Sequence, residues 1–351
     1  MESVVVAMSG GVDSSVAAAL LVEQGYAVSG VMLDMWSDNH DASKRVESVE
    51  QACKVADQLK IPFSVLDARD VFWTRVVEPF LQDYLNGLTP SPCVGCNRQV
   101  KWQSILEYAD REGLGMVATG HYARLNLDGQ GKMHLLRGKD DKKDQAYMLA
   151  FLQQKQLCRT IFPLGDYTKP EVRQIARRLG LIVAERDDSQ DLCFLPSGDY
   201  RHFLREHAQA QIIHGEIIDR QGNILGRHEG LPFYTIGQRK GLGFASVAPM
   251  YVLSKELATN QLVVGGKDAL GSRELKAASF NWIAGKPPAN LFRAQVKIRY
   301  HASLTWGMVQ ALDDSQVRIE LESDLRDITP GQVAVIYQDD DVLGGGIIQG
   351  R

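Results

Sequence analysis

This sequence of 351 residues predicts an α/β fold. A doubly wound, mostly parallel sheet is followed by a small β-rich central domain and a C-terminal β-barrel. Three observations lead there. As far as about residue 195, short β-branched runs alternate with helical stretches, the pattern of a parallel sheet covered on both faces. After about Gln209, glycine, turn pairs and short strands replace helical periodicity. The chain is also longer than one hydrophobic core usually serves. The expected domains are 1–208, 209–269 and 270–351.

The elements follow in order. Val4-Val5-Val6-Ala7-Met8 reads as a buried strand, and Asp13 to Gln24 as a helix ended by Gly25. A second strand spans Ala27 to Leu33. The next helix runs from Val46 to Leu59, with Val46, Val49, Cys53 and Ala56 as its apolar positions. Phe63-Ser64-Val65-Leu66 is a third strand, Lys101 to Arg111 a helix and Met116-Val117-Ala118-Thr119 a fourth strand. In such sheets ligands sit at the carboxyl ends of the strands. Further on, Asp219 to Asn223 and Gly241-Leu242-Gly243 are turns. Ala294 to Tyr300 and Gln316 to Leu321 alternate like barrel strands.

Hydrophobic residues make up 44% and charged residues 23%, the balance of a globular protein. No apolar run is long enough to span a bilayer, and the N-terminus lacks the features of a secretory signal. Five cysteines do not form a disulfide framework. A cytoplasmic, reducing location is expected. The net charge of −4 allows RNA binding only through a local basic face.

Ser9-Gly10-Gly11-Val12-Asp13-Ser14-Ser15 lies between the first strand and first helix. The glycines let backbone approach a phosphate, and the helix start offers free N–H groups and positive dipole. Asp13 adds negative charge, which suits a Mg²⁺ ligand. The Lys-Ser/Thr ending of a Walker A loop is missing. The loop resembles the PP-loop of the N-type ATP pyrophosphatases, which split ATP between the α and β phosphates and place AMP on a carbonyl oxygen. The resemblance implies ATP contacts from Ala7, Met8, Ser9, Gly10, Gly11, Val12, Asp13, Ser14, Leu33 and Gly120, with Asp13 also catalytic.

Two cysteine segments choose the branch. One is Thr89-Pro90-Ser91-Pro92-Cys93-Val94-Gly95-Cys96-Asn97-Arg98-Gln99-Val100-Lys101-Trp102, and the other Asp187-Asp188-Ser189-Gln190-Asp191-Leu192-Cys193-Phe194-Leu195. Cys96 reads as sitting just before a helix, where the dipole favours a thiolate. Two such cysteines can carry sulfur by thiol–disulfide exchange. With Ala118 to Tyr122, Lys143 to Tyr147 and Tyr234 to Leu242, the pattern resembles the tRNA-specific 2-thiouridylase family over nearly the whole chain. The resemblance implies adenylation of O2 of a wobble uridine and replacement of that oxygen by sulfur. Cys193 would carry the persulfide and Cys96 would be the nucleophile.

Many family members have Asp where this chain has Cys93. Cys93, Cys96 and Cys193 are therefore also candidate ligands of a [4Fe–4S] cluster delivering the sulfur. A Cys93 that only packs is a third reading. Cys53 and Cys158 read as small hydrophobes on amphipathic helices.

Between Leu275 and Leu312 lie Lys276, Lys286, Arg293, Lys297 and Arg299 with no acid, a candidate phosphate-following face. Arg137, Lys139, Lys142 and Lys143, and Arg239 with Lys240, form two smaller clusters. The resemblance implies tRNA contacts from His121, Lys143, Asp144, Gln145, Arg299, Tyr300 and Gln332, and a target-base pocket at Ser91, Pro92 and Cys93. It further implies tRNAs for Lys, Glu and Gln as substrates, and a cysteine desulfurase or sulfur-relay protein as donor. Two other readings stand beside it: a PP-loop amidotransferase of the GMP-synthetase type, and a non-catalytic RNA-binding iron–sulfur protein.

Overall fold

The structure, a computed structural model, describes residues 2–37, 42–187, 192–195 and 199–350. Residues 188–191 of the second cysteine segment lie outside the described residues. The first sheet has strands β1 (Ser3–Ala7), β2 (Ala27–Asp34), β3 (Phe63–Asp67), β4 (Met116–Thr119) and, from later in the chain, β7 (Thr160–Ile161). All are parallel, in the order β3-β2-β1-β4-β7. The order reverses between β1 and β4, so the crevice for a ligand opens at their carboxyl ends.

Helices cover both faces because alternate β1 residues point opposite ways. Val4 and Val6 pack with helices α1 (Val12–Glu23), α2 (Ala42–Leu59) and α8 (Lys169–Arg178). Val5 packs with Trp102, Ile105 and Ala109 on the other face. The small residues Ala17, Ala18 and Ala19 let α1 lie close to the sheet; all three are buried. Gly25, at φ +86°, ends that helical stretch in the left-handed region.

The buried face of α2 keeps only part of the expected one: Ala56 is fully buried as expected, but Val46 is 58% exposed, and Ala52 and Val55 are fully buried in its place. Cys53 is exposed, and so is Cys158, just after α7 (Gln154–Leu157). Neither packs as the small hydrophobe expected, because the buried faces fall on neighbouring positions.

Two helical runs lie between β3 and β4. The first joins α3 (Arg69–Phe72), a π-helical turn Trp73–Val77 and α4 (Glu78–Leu85). The second joins α5 (Pro92–Cys96), a π-helical turn Asn97–Trp102 and α6 (Gln103–Arg111). Cys96 therefore sits inside a helical run that starts at Pro92, not ahead of a helix. Contrary to expectation, no helix start stands beside it to favour a thiolate.

Beyond the first sheet, α9 (Tyr200–Ala208) leads into a four-stranded sheet in the order β10-β11-β8-β9. Its strands are β8 (Gly215–Ile218), β9 (Ile224–His228), β10 (Tyr251–Glu256) and β11 (Gln261–Gly265). Its Ile217, Val252 and Leu262 share a core with Phe80, Cys96, Phe194 and Phe203. Six strands then close a barrel: β12 (Ser272–Trp282), β13 (Leu291–Lys297), β14 (Thr305–Ala311), β15 (Val317–Leu325), β16 (Val333–Gln338) and β17 (Asp341–Gly350). Pairing of β12 with β17 closes it. A hairpin from the first domain, β5 (Ala123–Leu127) and β6 (Met133–Arg137), adds to the barrel beside β17. Among the described residues no helix is long and apolar enough to cross a membrane.

Candidate active site

The Ser9–Ser15 loop leaves β1 and turns into α1 at the strand-order reversal. Gly11 is the N-cap of α1 and offers its first N–H groups no side-chain cap. The first N–H groups of a helix have no intrahelical partner, so this uncapped end presents donors suited to a phosphate. The loop holds its own shape: Ser9 N–H donates to Ser14 Oγ at 3.1 Å, and Ser15 Oγ donates to the Gly11 carbonyl at 2.8 Å. Gly10 has φ +74°, and a Cβ there would lie 2.4 Å from the Ser48 carbonyl oxygen of α2. Only glycine fits between loop and helix. Arg186 caps the turn by donating to the Gly10 carbonyl at 2.8 Å. Ala7 ends β1, Met8 follows it, and Leu33 lies buried on the neighbouring β2.

Asp13 does not stand open for a metal ion. Its Oδ1 accepts from Lys169 Nζ at 2.6 Å and from the Tyr122 hydroxyl at 2.8 Å. None of the sequence motifs includes Lys169. A signal for it exists, since Thr168-Lys169-Pro170-Glu171 spells a capped helix start with proline in the first turn. The structure has a reciprocal capping box between Thr168 and Glu171.

Three consecutive residues after β4 connect this loop to the cysteines. Gly120 lies against α1: a Cβ there would be 2.7 Å from the Ser14 nitrogen. Tyr122 reaches Asp13. His121, between them, bonds through Nδ1 to Thr119 Oγ1 at 2.8 Å. Burial, and then the Lys101 charge, push its pKa down to about 3, so the ring is neutral.

Lys101 also acts electrostatically on Cys93, Cys96 and Cys193. The π-helical turn explains this for Cys96. It stretches the repeat beyond four residues, so positions 96 and 101 share a face. Burial opposes the Lys101 charge, but the three thiols outweigh burial and its pKa ends above the ordinary value. Burial pushes the Cys96 thiol up to about 12, with Lys101 pulling the other way. Cys93 is raised by burial too. Cys193 stands on an exposed turn, yet desolvation raises its thiol as well. The three sulfurs thus share one neighbourhood. They do not form a metal-ligand set: among the described residues no three His, Cys, Asp or Glu side chains converge as one.

The loop bearing Ser91, Pro92 and Cys93 is clamped by the barrel. Gln332 Nε2 donates to the carbonyls of Thr89 at 2.8 Å and Pro90 at 3.2 Å, and Thr89 N–H donates to the Pro330 carbonyl at 2.9 Å. Other residues expected at the RNA also have structural partners. Asp144 is buried and accepts from the Gly138 and Ala146 N–H groups. Gln145 Oε1 accepts from Tyr122 N–H at 3.0 Å, fixing the stretch that touches Asp13. Arg299 donates to Thr329 Oγ1. Tyr300, in the turn after β13, packs near Tyr147 with Lys297 5.6 Å from its ring centre.

The basic stretch of the barrel is not one free face. Arg293 pairs with Glu322 at 2.7 Å and lies 4.0 Å over Trp306. Lys143 lies instead in a groove of about 430 Å³ with Lys142, Lys169, Arg173 and Arg177. A wider cleft of about 700 Å³ opens where all three parts of the chain meet, lined by Tyr200, Arg201, Gln238, Arg299 and Asp327. The Tyr234–Leu242 motif forms one wall, with Arg239 and Lys240 exposed.

Three family models cover the chain: a tRNA methyl transferase HUP domain over residues 2–197, a tRNA methyl transferase PRC-barrel domain over 201–266 and an aminomethyltransferase β-barrel domain over 272–348. The tRNA-specific 2-thiouridylase MnmA of Heliobacterium modesticaldum is 48% identical, covering 99% of this chain and 92% of that protein. The MnmA of Chloroflexus aggregans is 44% identical, covering 99% and 98%. A solved 4-thiouridine synthetase–RNA complex with bound ATP aligns with 60% of this chain and 50% of that one at 15% identity, with a TM-score of 0.36, too slight a likeness to bear on function. With all three regions matched by family models and full-length relatives 44–48% identical, the chain belongs to the tRNA-specific 2-thiouridylase family.

Proposed function

We propose that the protein uses ATP to replace O2 of a tRNA wobble uridine with sulfur, carried as a persulfide on Cys193. The observation that carries this reading is the Gly120-His121-Tyr122 stretch. Gly120 and Tyr122 both touch the ATP-type loop, and His121 between them feels the charge of Lys101, the cation beside the cysteines, which supports activation and sulfur delivery sharing one base.

The uncapped start of α1 and the glycines of the loop suit the triphosphate. A Mg²⁺ ion, when bound, would screen phosphate charge, and Asp13 is the residue we assign to it. The uridine oxygen attacks the α-phosphate, and pyrophosphate leaves. The Cys96 thiolate then attacks the Cys193 sulfur of the persulfide. A Cys96–Cys193 disulfide forms and hydrosulfide is released. Hydrosulfide adds to C2 and expels AMP with loss of a proton. A thiol reductant from outside the chain reopens the disulfide. Lys101 offsets the negative charge on the sulfurs throughout.

In this reading Ser91, Pro92 and Cys93 line the base pocket, and Gln332 acts by holding their loop. His121, Lys143, Arg299 and Tyr300 face the RNA, while Asp144 and Gln145 shape the turn beside it. The substrates are tRNAs for Lys, Glu and Gln in the cytoplasm, and a cysteine desulfurase or relay protein loads Cys193. The working units are 1–208, 209–269 and 270–351.

Cys193→Ser should abolish 2-thiouridine while tRNA binding and tRNA-dependent ATP–pyrophosphate exchange persist. Lost tRNA affinity in that variant would contradict the assignment. Iron and acid-labile sulfide in anaerobically purified protein, both lost in Cys93→Ala together with activity, would favour the cluster route. Tight RNA binding without exchange would favour a non-catalytic protein.

A further inference from the structure

Asn97 directly follows Cys96, and its amide is used in only one direction. The side chain is buried, and its Nδ2 donates to the Met148 carbonyl at 2.9 Å. Its Oδ1 is buried too and has no hydrogen-bond partner among the described residues. Leaving a buried acceptor unpaired costs free energy that an apolar side chain of the same size would not incur. Packing alone therefore does not account for an asparagine here; the bond from Nδ2 does.

That bond joins two parts of the site. On one side, Asn97 opens the π-helical turn, and its backbone N–H donates to the Cys93 carbonyl. Cys96 lies in the core that contains Phe194, the residue after Cys193. On the other side, Met148 belongs to a short helical turn, Ala146–Leu149. Met148 N–H donates to the Gln145 carbonyl at 2.9 Å, and Gln145 N–H to the Tyr122 carbonyl at 2.9 Å. The Tyr122 hydroxyl then reaches Asp13. Tyr147 of the same turn donates to the Val333 carbonyl of β16 at 2.8 Å. The turn is thus tied to the phosphate-type loop and to the barrel, and Asn97 ties the cysteine run to the turn.

We infer that Asn97 is a positioning residue for sulfur transfer: its amide sets the Cys96 sulfur relative to the loop at which the uridine is activated. The rest of the helical run has anchors of its own. Gln156 Nε2 donates to the Arg98 carbonyl at 3.3 Å, and Trp102 Nε1 donates to Thr160 Oγ1 at 2.8 Å. Loss of the Asn97 bond therefore leaves the run in place and loosens only the stretch at its start, where the nucleophile stands. A displacement of about 1 Å there is enough to slow attack on the Cys193 sulfur about a hundredfold. Activation of the uridine does not use the Cys96 sulfur, so it is spared.

This inference rests on the persulfide reading of Cys96 and Cys193, and the test keeps the two apart. Asn97→Leu removes the amide at similar volume. On the full chain, tRNA-dependent ATP–pyrophosphate exchange reports activation, and single-turnover 2-thiouridine formation by persulfide-loaded protein reports the sulfur step. Thermal melting checks folding. Exchange and tRNA affinity should stay within about threefold of wild type, while 2-thiouridine formation falls about tenfold or more. If Asn97→Leu melts early, Asn97→Ser, whose hydroxyl ends one bond short of the amide nitrogen, should show the same split. Wild-type 2-thiouridine formation in a folded variant would overturn the role of Asn97. Equal losses of exchange and 2-thiouridine formation would also overturn it, leaving Asn97 a structural tie only. Wild-type protein without exchange, or Cys96→Ser forming 2-thiouridine normally, would sink the underlying reading instead.

Discussion

Gly120→Ala isolates the contact between β4 and the phosphate-type loop. The backbone of Gly120 is not among the left-handed glycines, so alanine meets no conformational penalty there. The obstacle is space. The added Cβ would lie 2.7 Å from the Ser14 nitrogen, 2.8 Å from the Asp13 carbonyl carbon and 3.0 Å from the Ser14 Cα. All three are backbone atoms of the first turn of α1, and none can rotate away. Ordinary contact begins near 3.4 Å, so strand end and loop must part by about 0.7 Å. Overpacking of this kind costs about 1–3 kcal/mol. The larger effect falls on chemistry, because a shift approaching 1 Å in a reacting group costs about a hundredfold in rate. The assay is tRNA-dependent ATP–pyrophosphate exchange alongside thermal melting. Gly115→Ala serves as control, since a Cβ at Gly115 meets nothing within 4 Å. Gly120→Ala should melt a few degrees lower and exchange about a hundredfold more slowly, with Gly115→Ala unchanged. Wild-type exchange in Gly120→Ala would refute the claim that this approach sets the loop.

Lys101→Met should raise the thiol pKa of Cys96 further and slow its alkylation by iodoacetamide at pH 8 by about tenfold, through loss of thiolate; an unchanged pH profile would remove Lys101 as the counter-charge. Lys255, on β10, has a buried ammonium nitrogen without a hydrogen-bond partner among the described residues, and burial pushes its pKa down to about 7. The unfolded chain therefore binds the extra proton between about pH 7 and its ordinary value, and stability should rise with pH across that window. Lys255→Met should flatten that rise and add up to about 4 kcal/mol at pH 7 in urea denaturation. His134 is raised first by its hydrogen bond to Asp341, with burial opposing and Asp128 adding. Its contribution to holding β6 against β17 should be full below its ordinary pKa and fall away as pH rises through the raised folded value. His134→Gln should abolish that fall in the melting-temperature profile.

Much of the site was legible. The Ser9–Ser15 loop declares itself because a strand, two glycines and a helix start must be adjacent in sequence to be adjacent in space. The cysteines were legible as chemistry but not as environment. Cys96 looked like a residue ahead of a helix, because Pro92 to Trp102 mixes proline, glycine and polar residues. Tertiary packing instead draws that stretch into one helical run and buries the thiol. Cys53 and Cys158 failed for a related reason. A shift of one residue on a helix turns a side chain about 100°, from core to solvent.

The sequence by itself determined the alternation of strand and helix, the loop between β1 and α1, and the spacing of the cysteines. These are local patterns, set by periodicity and by neighbours along the chain. Only the tertiary structure decided that Lys169 meets Asp13 across 156 positions, that Lys101 faces three thiols, and that Gln332 of the barrel grips the loop at Thr89 and Pro90. Such pairings depend on which helix crosses which strand end. Long-range packing sets that geometry, and no spacing of residues along one segment encodes it.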